Sequence, residues 1–148
     1  MPYETHTRGE FRITTDPAEL DIAAIHAALT RQYWSVGIPF ETVERAVKNS
    51  LCFGILHGRE QVGLGRVISD FATFAYLADV YVLEAYRGRG LSKWMMECVM
   101  AHPKLQGLRR FCLATSDAHG LYAQFGFTLI PNEGRWMEIN RPKIYQQR

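Results

Sequence analysis

The spacing of apolar residues changes period several times along the 148 residues, and each change marks an element. Leu91, Trp94, Met95, Cys98 and Val99 recur at i, i+3, i+4, i+7 and i+8, which places one apolar stripe on a helix of about three turns. An apolar run, Val80-Tyr81-Val82-Leu83, precedes it, and Gly88 and Gly90 occupy the turn between. Upstream, residues 51–56 and 61–69 read as strands around a turn at 57–60, and a third strand covers 74–83. Three strands with short links imply an antiparallel meander. Downstream, residues 103–107 break the helix, and 110–115 are apolar enough for a central strand covered on both faces. Strand, helix and strand then make a crossover, with ligands expected at the carboxyl ends where the sheet order changes.

The flanks follow the same logic. Residues 1–10 are polar and read as a loose terminus, and 11–15 as a short strand. Asp16-Pro17-Ala18-Glu19 has the form of an N-cap, a first-turn proline and a capping carboxylate, so a helix is expected to run to about residue 29 with Ile22, Ile25 and Leu29 inward. A polar, aromatic break at 30–39 holds Tyr33 and Trp34 and leads to a second helix at 41–49. A short helix at 118–125 should end at Gly126, and 127–130 with 135–139 flank the turn 131–134 as a last hairpin. The expected architecture is one α/β domain over residues 11–148, with a mixed central sheet of six to seven strands and about four helices.

Composition narrows the function. At 47% hydrophobic, the chain can bury roughly 70% of its unfolded surface in one domain. Seventeen Lys and Arg against 15 Asp and Glu leave a net charge of +2, which argues against a nucleic-acid or anionic-membrane partner. No apolar run reaches membrane-spanning length and residues 1–10 lack a signal-peptide core, so a cytoplasmic location is expected. Cys52, Cys98 and Cys112 are an odd, unpatterned set, expected as buried free thiols. Cys98 and His102, with Cys112 and His119 downstream, lack a tight Cys-x-x-Cys pair, so no metal site is expected.

The glycine turn carries the clearest chemistry. A helix start leaves its first N–H groups without partners and bears partial positive charge, so the amides of Gly88, Arg89, Gly90, Leu91 and Ser92 can face one anion. Glycine permits positive φ and close approach, and Arg87 and Arg89 add charge. Hydrogen bonds to charged groups contribute roughly 1.5–3 kcal/mol each, so three or four amides suffice to hold a diphosphate. The P-loop pattern is missing, and Gly-x-Gly-x-x-Gly fails at Lys93 and at Ile68.

Arg87-x-x-Gly90-x-Ser92 resembles the Arg/Gln-x-x-Gly-x-Gly/Ala signature by which GNAT-type N-acetyltransferases hold the pyrophosphate of acetyl-CoA, with Ser92 replacing a small apolar residue. Residues 115–127 resemble the family's later motif, Asn-x-x-Ala-x-x-Leu-Tyr-x-x-x-Gly-Phe. Ala118, Leu121, Tyr122, Gly126 and Phe127 match, while Thr115 stands where an asparagine usually helps hold the pantetheine arm. The resemblance implies transfer of an acetyl group from a thioester to an amine, either a small molecule or a peptide amine.

That reaction has three needs. An amine with a pKa near 10.4 is only about one part in two thousand unprotonated at pH 7, a penalty of roughly 4.6 kcal/mol, so its proton must be removed. The thioester carbonyl gains negative charge, and an N–H exposed by a bulge around Val80, Tyr81 and Val82 would meet it. By resemblance the same amides pair with pantetheine. The departing thiolate needs a proton, and the resemblance makes Tyr122 the general acid. The family's usual glutamate positions correspond to Tyr76 and Ala78, which offer no carboxylate, so Asp79 is the nearest candidate base. Strand alternation turns Asp79 to the opposite face unless a bulge redirects it. Glu84 reads as a turn residue and His119 as a local helix-start partner. Tyr33, Trp34 and Tyr81 are the candidate substrate-pocket residues. The competing reading is a non-catalytic acyl-CoA sensor or scaffold on the same fold. An outer strand available for pairing makes a homodimer a further expectation.

Overall fold

The computed structural model describes residues 3–146. Six strands form one sheet in sequence order: β1 (Thr5–Arg8), β2 (Phe11–Thr14), β3 (Leu51–His57), β4 (Glu60–Ser69), β5 (Phe74–Val82) and β6 (Arg110–Leu113). Every neighbouring pair is antiparallel except β5 and β6, which run parallel because a helix, α3 (Leu91–Ala101), carries the chain from one to the other. The other helices are α1 (Ile22–Leu29), α2 (Phe40–Lys48) and α4 (His119–Ala123).

Strand alternation feeds two apolar layers. Phe53, Ile55, Val67, Ala75 and Leu77 pack with Trp94, Met95, Cys98 and Val99 of α3 on one face. Cys52, Leu64 and Tyr81 pack with Ile25, Leu29, Val43 and Val47 of α1 and α2 on the other. The stripe expected on α3 is the stripe it buries. Burial raises the Cys98 thiol pKa to about 11 and that of Cys52 to about 12, so both are inert thiols, while Cys112 is only half-buried.

Four expectations are corrected. Residues 5–8 are an edge strand, tied to β2 in register and by the Thr15 N–H donating to the Glu4 carbonyl at 3.0 Å. The helix expected from Asp16 is two pieces: Asp16 caps only a 3-10 turn, Pro17–Glu19, and Asp21 caps α1 by accepting from the Ala24 N–H at 3.0 Å. Glu19 is drawn away from a capping role by Arg12 and Thr14, whose side chains bond its two carboxylate oxygens at 2.8 and 3.0 Å. Strand β6 ends the sheet instead of lying inside it, because the last hairpin does not form. The segment after α4 touches the sheet through side chains, Phe127 against Phe111 and Trp136 under the Arg110 guanidinium, and leaves Met137 95% exposed.

Gly63 of β4 faces a crowded backbone. A Cβ there would lie 2.9 Å from the Tyr81 carbonyl oxygen and 2.9 Å from Ile55 Cδ1. Gly63→Ala is expected to cost about 1–3 kcal/mol in urea unfolding through overpacking. Gly120→Ala, on open helical backbone with nothing within 4 Å, should instead gain up to about 1 kcal/mol.

Candidate active site

Strand β5 stops pairing with β6 after Leu77 and Leu113, so from Ala78 onward its outer edge has no partner in β6. Just beyond this fork the register with β4 shifts: Arg66 faces Ala78 but Leu64 faces Tyr81, which inserts one extra residue into β5 at Asp79 and Val80. Asp79 takes φ of 55°, left-handed for a non-glycine residue in mid-strand. Val80 then packs toward α3 and Tyr81 toward α1 and α2. A bulge therefore exists where the amides of Val80, Tyr81 and Val82 were expected to be offered.

The chain continues into the glycine turn. Gly88 and Gly90 adopt φ of 79° and 74°, and a Cβ at either would meet nothing within 4 Å, so their open side is free for a ligand. Gly90 is the N-cap of α3 and brings no side-chain cap, and no acidic residue lies in the first turn. The Trp94 N–H reaches back to the Gly90 carbonyl at 3.0 Å, while the N–H groups before it are the orphan donors of a helix start. Arg87 donates from Nε to the Val82 carbonyl at 2.9 Å and so ties the end of β5 to the turn. Arg89 lies over the Tyr86 ring at 5.3 Å and reaches the Ala85 carbonyl at 3.4 Å. Leu91 is core, and Ser92 is half-buried in the first turn of α3.

On the β6 side, Thr115 Oγ1 accepts from the Ala118 N–H at 3.0 Å and shapes the entry to α4. Tyr122 belongs to the same apolar cluster as Val82, Leu91 and Trp94 and is 7% exposed. Its hydroxyl makes no hydrogen bond among the described residues, yet it is not sealed, since the one sealed and unpartnered side-chain atom among them is Tyr81 Oη. Burial, helped by Asp117, raises the Tyr122 pKa, so the phenol keeps its proton at neutral pH. Tyr122 also lines a cavity of about 580 Å³ bounded by β6, α4 and residues 127–130. No residue of β5 or the glycine turn borders that cavity, so the cradle is open surface and not part of it.

The aromatic pair of the 30–39 loop bridges the fork. Trp34 Nε1 donates to Asp79 Oδ1 at 2.9 Å, and Tyr33, 70% exposed, donates to Ser116 Oγ just past β6 at 3.4 Å. The rings meet edge to face at 5.1 Å. Tyr81, expected on a pocket wall, is instead 5% exposed within the second apolar layer. Asp79 is turned by the bulge onto the α1 and α2 face, but it is not a free carboxylate. Its other oxygen accepts from Arg66 Nε at 2.8 Å in a largely buried ion pair. Sequence reasoning passed over Arg66. Its signal was a lone cation within the otherwise apolar stretch 62–68 of β4, which calls for a buried anion.

The profile of the acetyltransferase (GNAT) domain matches residues 48–129, the span that holds the fork, the cradle and Tyr122. A relative from Gibberella zeae, named as an acetyltransferase, is 36% identical over 141 residues, covering 80% of this chain and 78% of its own. The chain belongs to the GNAT acetyltransferase family. A solved GNAT-family protein from Xanthomonas campestris pv. campestris is 53% identical and superposes with a TM-score of 0.90, covering 93% of this chain and 97% of that one. An acetyltransferase-like protein of Clostridium acetobutylicum, crystallised with acetyl-CoA, shares the fold at 17% identity and a TM-score of 0.62, over 94% of this chain and 95% of that one. Among the described residues of this GNAT protein, the one parallel strand pair is the one at the fork described above. No helix among the described residues is long and apolar enough to cross a membrane.

Burial, with Asp21 adding to it, also raises the Tyr81 pKa. Phenols whose folded pKa is raised contribute stability that is complete below the unfolded value of about 10 and is lost as pH rises above it. Tyr81→Phe removes a sealed, unpartnered hydroxyl, so urea unfolding at pH 7 should show stability unchanged or higher by about 1 kcal/mol. The same variant should lose less stability than wild type between about pH 9.5 and 11.

Proposed function

We propose that this GNAT protein is an acetyl-CoA-dependent N-acetyltransferase that moves the acetyl group directly to an amine. One observation carries the reading: the uncapped start of α3, with two left-handed glycines whose open sides face no atom, follows directly on the fork between β5 and β6. The residues fit the coenzyme. Orphan amides of residues 88–92 suit its diphosphate, with Arg87 and Arg89 beside them. The unpaired edge of β5 from Val80 to Val82 suits the amides of a pantetheine arm, and Thr115 on the β6 side has a hydroxyl that can still donate.

Bound there, the coenzyme would supply an activated thioester carbon. The chain's own part is then positional and electrostatic. Bulge amides are fixed donors for charge that develops on a carbonyl oxygen and need no reorganisation at that moment. Tyr122 holds a proton on a phenol that burial makes reluctant to ionise, so it can hydrogen-bond to or protonate a departing thiolate. The acceptor would enter from the face of α1 and α2, under Tyr33 and Trp34. With both Asp79 oxygens engaged, the amine proton is best passed to water at that open mouth.

The sensor reading draws on the absence of a free carboxylate at Tyr76, Ala78 or Asp79. The two part over Tyr122. With thiol release measured across amines, amino acids, polyamines and peptides, Tyr122→Phe should lower transfer by about 10²-fold with CoA affinity little changed. Equal rates in the two proteins would remove the acid role, and no release with any acceptor would favour the sensor. Gly90→Trp should weaken CoA binding by calorimetry while the circular dichroism of the fold persists; undiminished affinity would count against the cradle.

A further inference from the structure

The bulge in β5 requires an explanation of its own. Among the described residues only Phe71 and Asp79 are non-glycine residues at positive φ. Phe71 sits in a turn where Asp70 accepts the N–H groups of Ala72, Thr73 and Phe74, so the turn accounts for it. Asp79 lies inside a strand, where no turn does. A left-handed L-residue in a ladder persists only when its surroundings over-determine it.

Two segments converge on the Asp79 carboxylate, and a third braces one of them. Arg66 of β4 holds one oxygen at 2.8 Å, and Trp34 of the loop after α1 holds the other at 2.9 Å. Arg66 is itself aimed from a third direction: its Nη1 donates to Ser50 Oγ at 3.1 Å, and that hydroxyl donates to the Ala46 carbonyl of α2 at 2.7 Å. Arg66 is also the β4 residue at the edge of the register shift, paired with Ala78 immediately before the extra residue. Ion pair and bulge are therefore one unit.

We infer that Arg66, Asp79 and Trp34 form a lock that sets the bulge of β5, and that Asp79 is a positioning residue and not the general base. Each Asp79 oxygen already accepts from one N–H donor and the side chain is only 12% exposed, so an incoming amine would have to compete with both partners for it. What the lock controls is the direction of the backbone from Asp79 to Val82, and hence where the N–H groups of Val80, Tyr81 and Val82 stand. Trp34 extends the control to the acceptor side, since its loop also reaches Ser116 across the fork through Tyr33. The catalytic consequence rests on the proposed transferase reading; the structural role of the lock does not.

The test uses Arg66→Met, Asp79→Asn and the double variant, which leaves no stranded charge should Arg66→Met fold poorly. Each single variant is expected to lower kcat/KM for acetyl-CoA by about tenfold or more, with the shape of the pH–rate profile unchanged. The double variant should be no slower than the worse single, the non-additivity of one coupled unit. Amide hydrogen exchange in the coenzyme-free protein should quicken by about tenfold or more at residues 78–82 and stay constant at 53–55. The inference is overturned if Asp79→Asn removes one limb of the pH profile while Arg66→Met keeps the wild-type rate, or if exchange at 78–82 is unaltered. Should wild type acetylate no amine at all, the transferase reading fails, and hydrogen exchange alone decides the lock.

Discussion

A backbone amide or carbonyl that loses its ladder partner must find another, and this requirement governs the site. β5 and β6 pair over only four residues, from Phe74 and Arg110 to Leu77 and Leu113. Beyond them one edge of β5 needs partners of another kind, as do the first amides of α3. Both sets of unmatched groups lie along one continuous piece of chain, and Arg87 fastens them together by capping the Val82 carbonyl. A polar, extended ligand with a charged end is the natural complement to such a surface.

What sequence made legible divides by the range of the interactions involved. The stripe on α3, the glycine turn and the meander of β3, β4 and β5 depend on neighbours a few residues away, and all three stand where the periodicity places them. Asp16 misled because its capping pattern is local and correct as far as it goes: it caps a turn, while the diversion of Glu19 to Arg12 and Thr14 and a second cap at Asp21 delay the helix. Residues 5–8 look featureless until β2 offers them an edge. The final hairpin has the right alternation, yet its apolar residues have no second face to bury and the strands do not form. Near the fork, the left-handed turn at Gly88 and Gly90 is readable from spacing alone, whereas the Asp79 environment is not. Its side is decided by the bulge, and the bulge involves Arg66 and Trp34, 13 and 45 residues away.

The two buried tyrosines near the fork show how similar side chains take on different duties. Burial raises the pKa of both. Tyr81 spends its ring on the packing of α1 and α2 and leaves its hydroxyl sealed, while Tyr122 keeps a hydroxyl that solvent or ligand can reach. The Arg66–Asp79 pair is a third case, in which two charges tolerate burial because each satisfies the other. Removing one member of a buried pair typically costs about 3–5 kcal/mol because the other charge is left stranded, so the fold depends on the two being present together.

The cradle and the lock differ in how far apart in the chain their parts lie. Arg87 and Arg89 reach carbonyls five and four residues back, so the proposed anion cradle is assembled within a short peptide. The lock gathers β4, β5, α2 and the loop after α1, and forms only when the tertiary structure is complete. Warming or partial denaturation should therefore disarm the molecule in a fixed order, aim before grip. On the proposed reading, its damaged forms would be not inert bystanders but decoys that still sequester coenzyme.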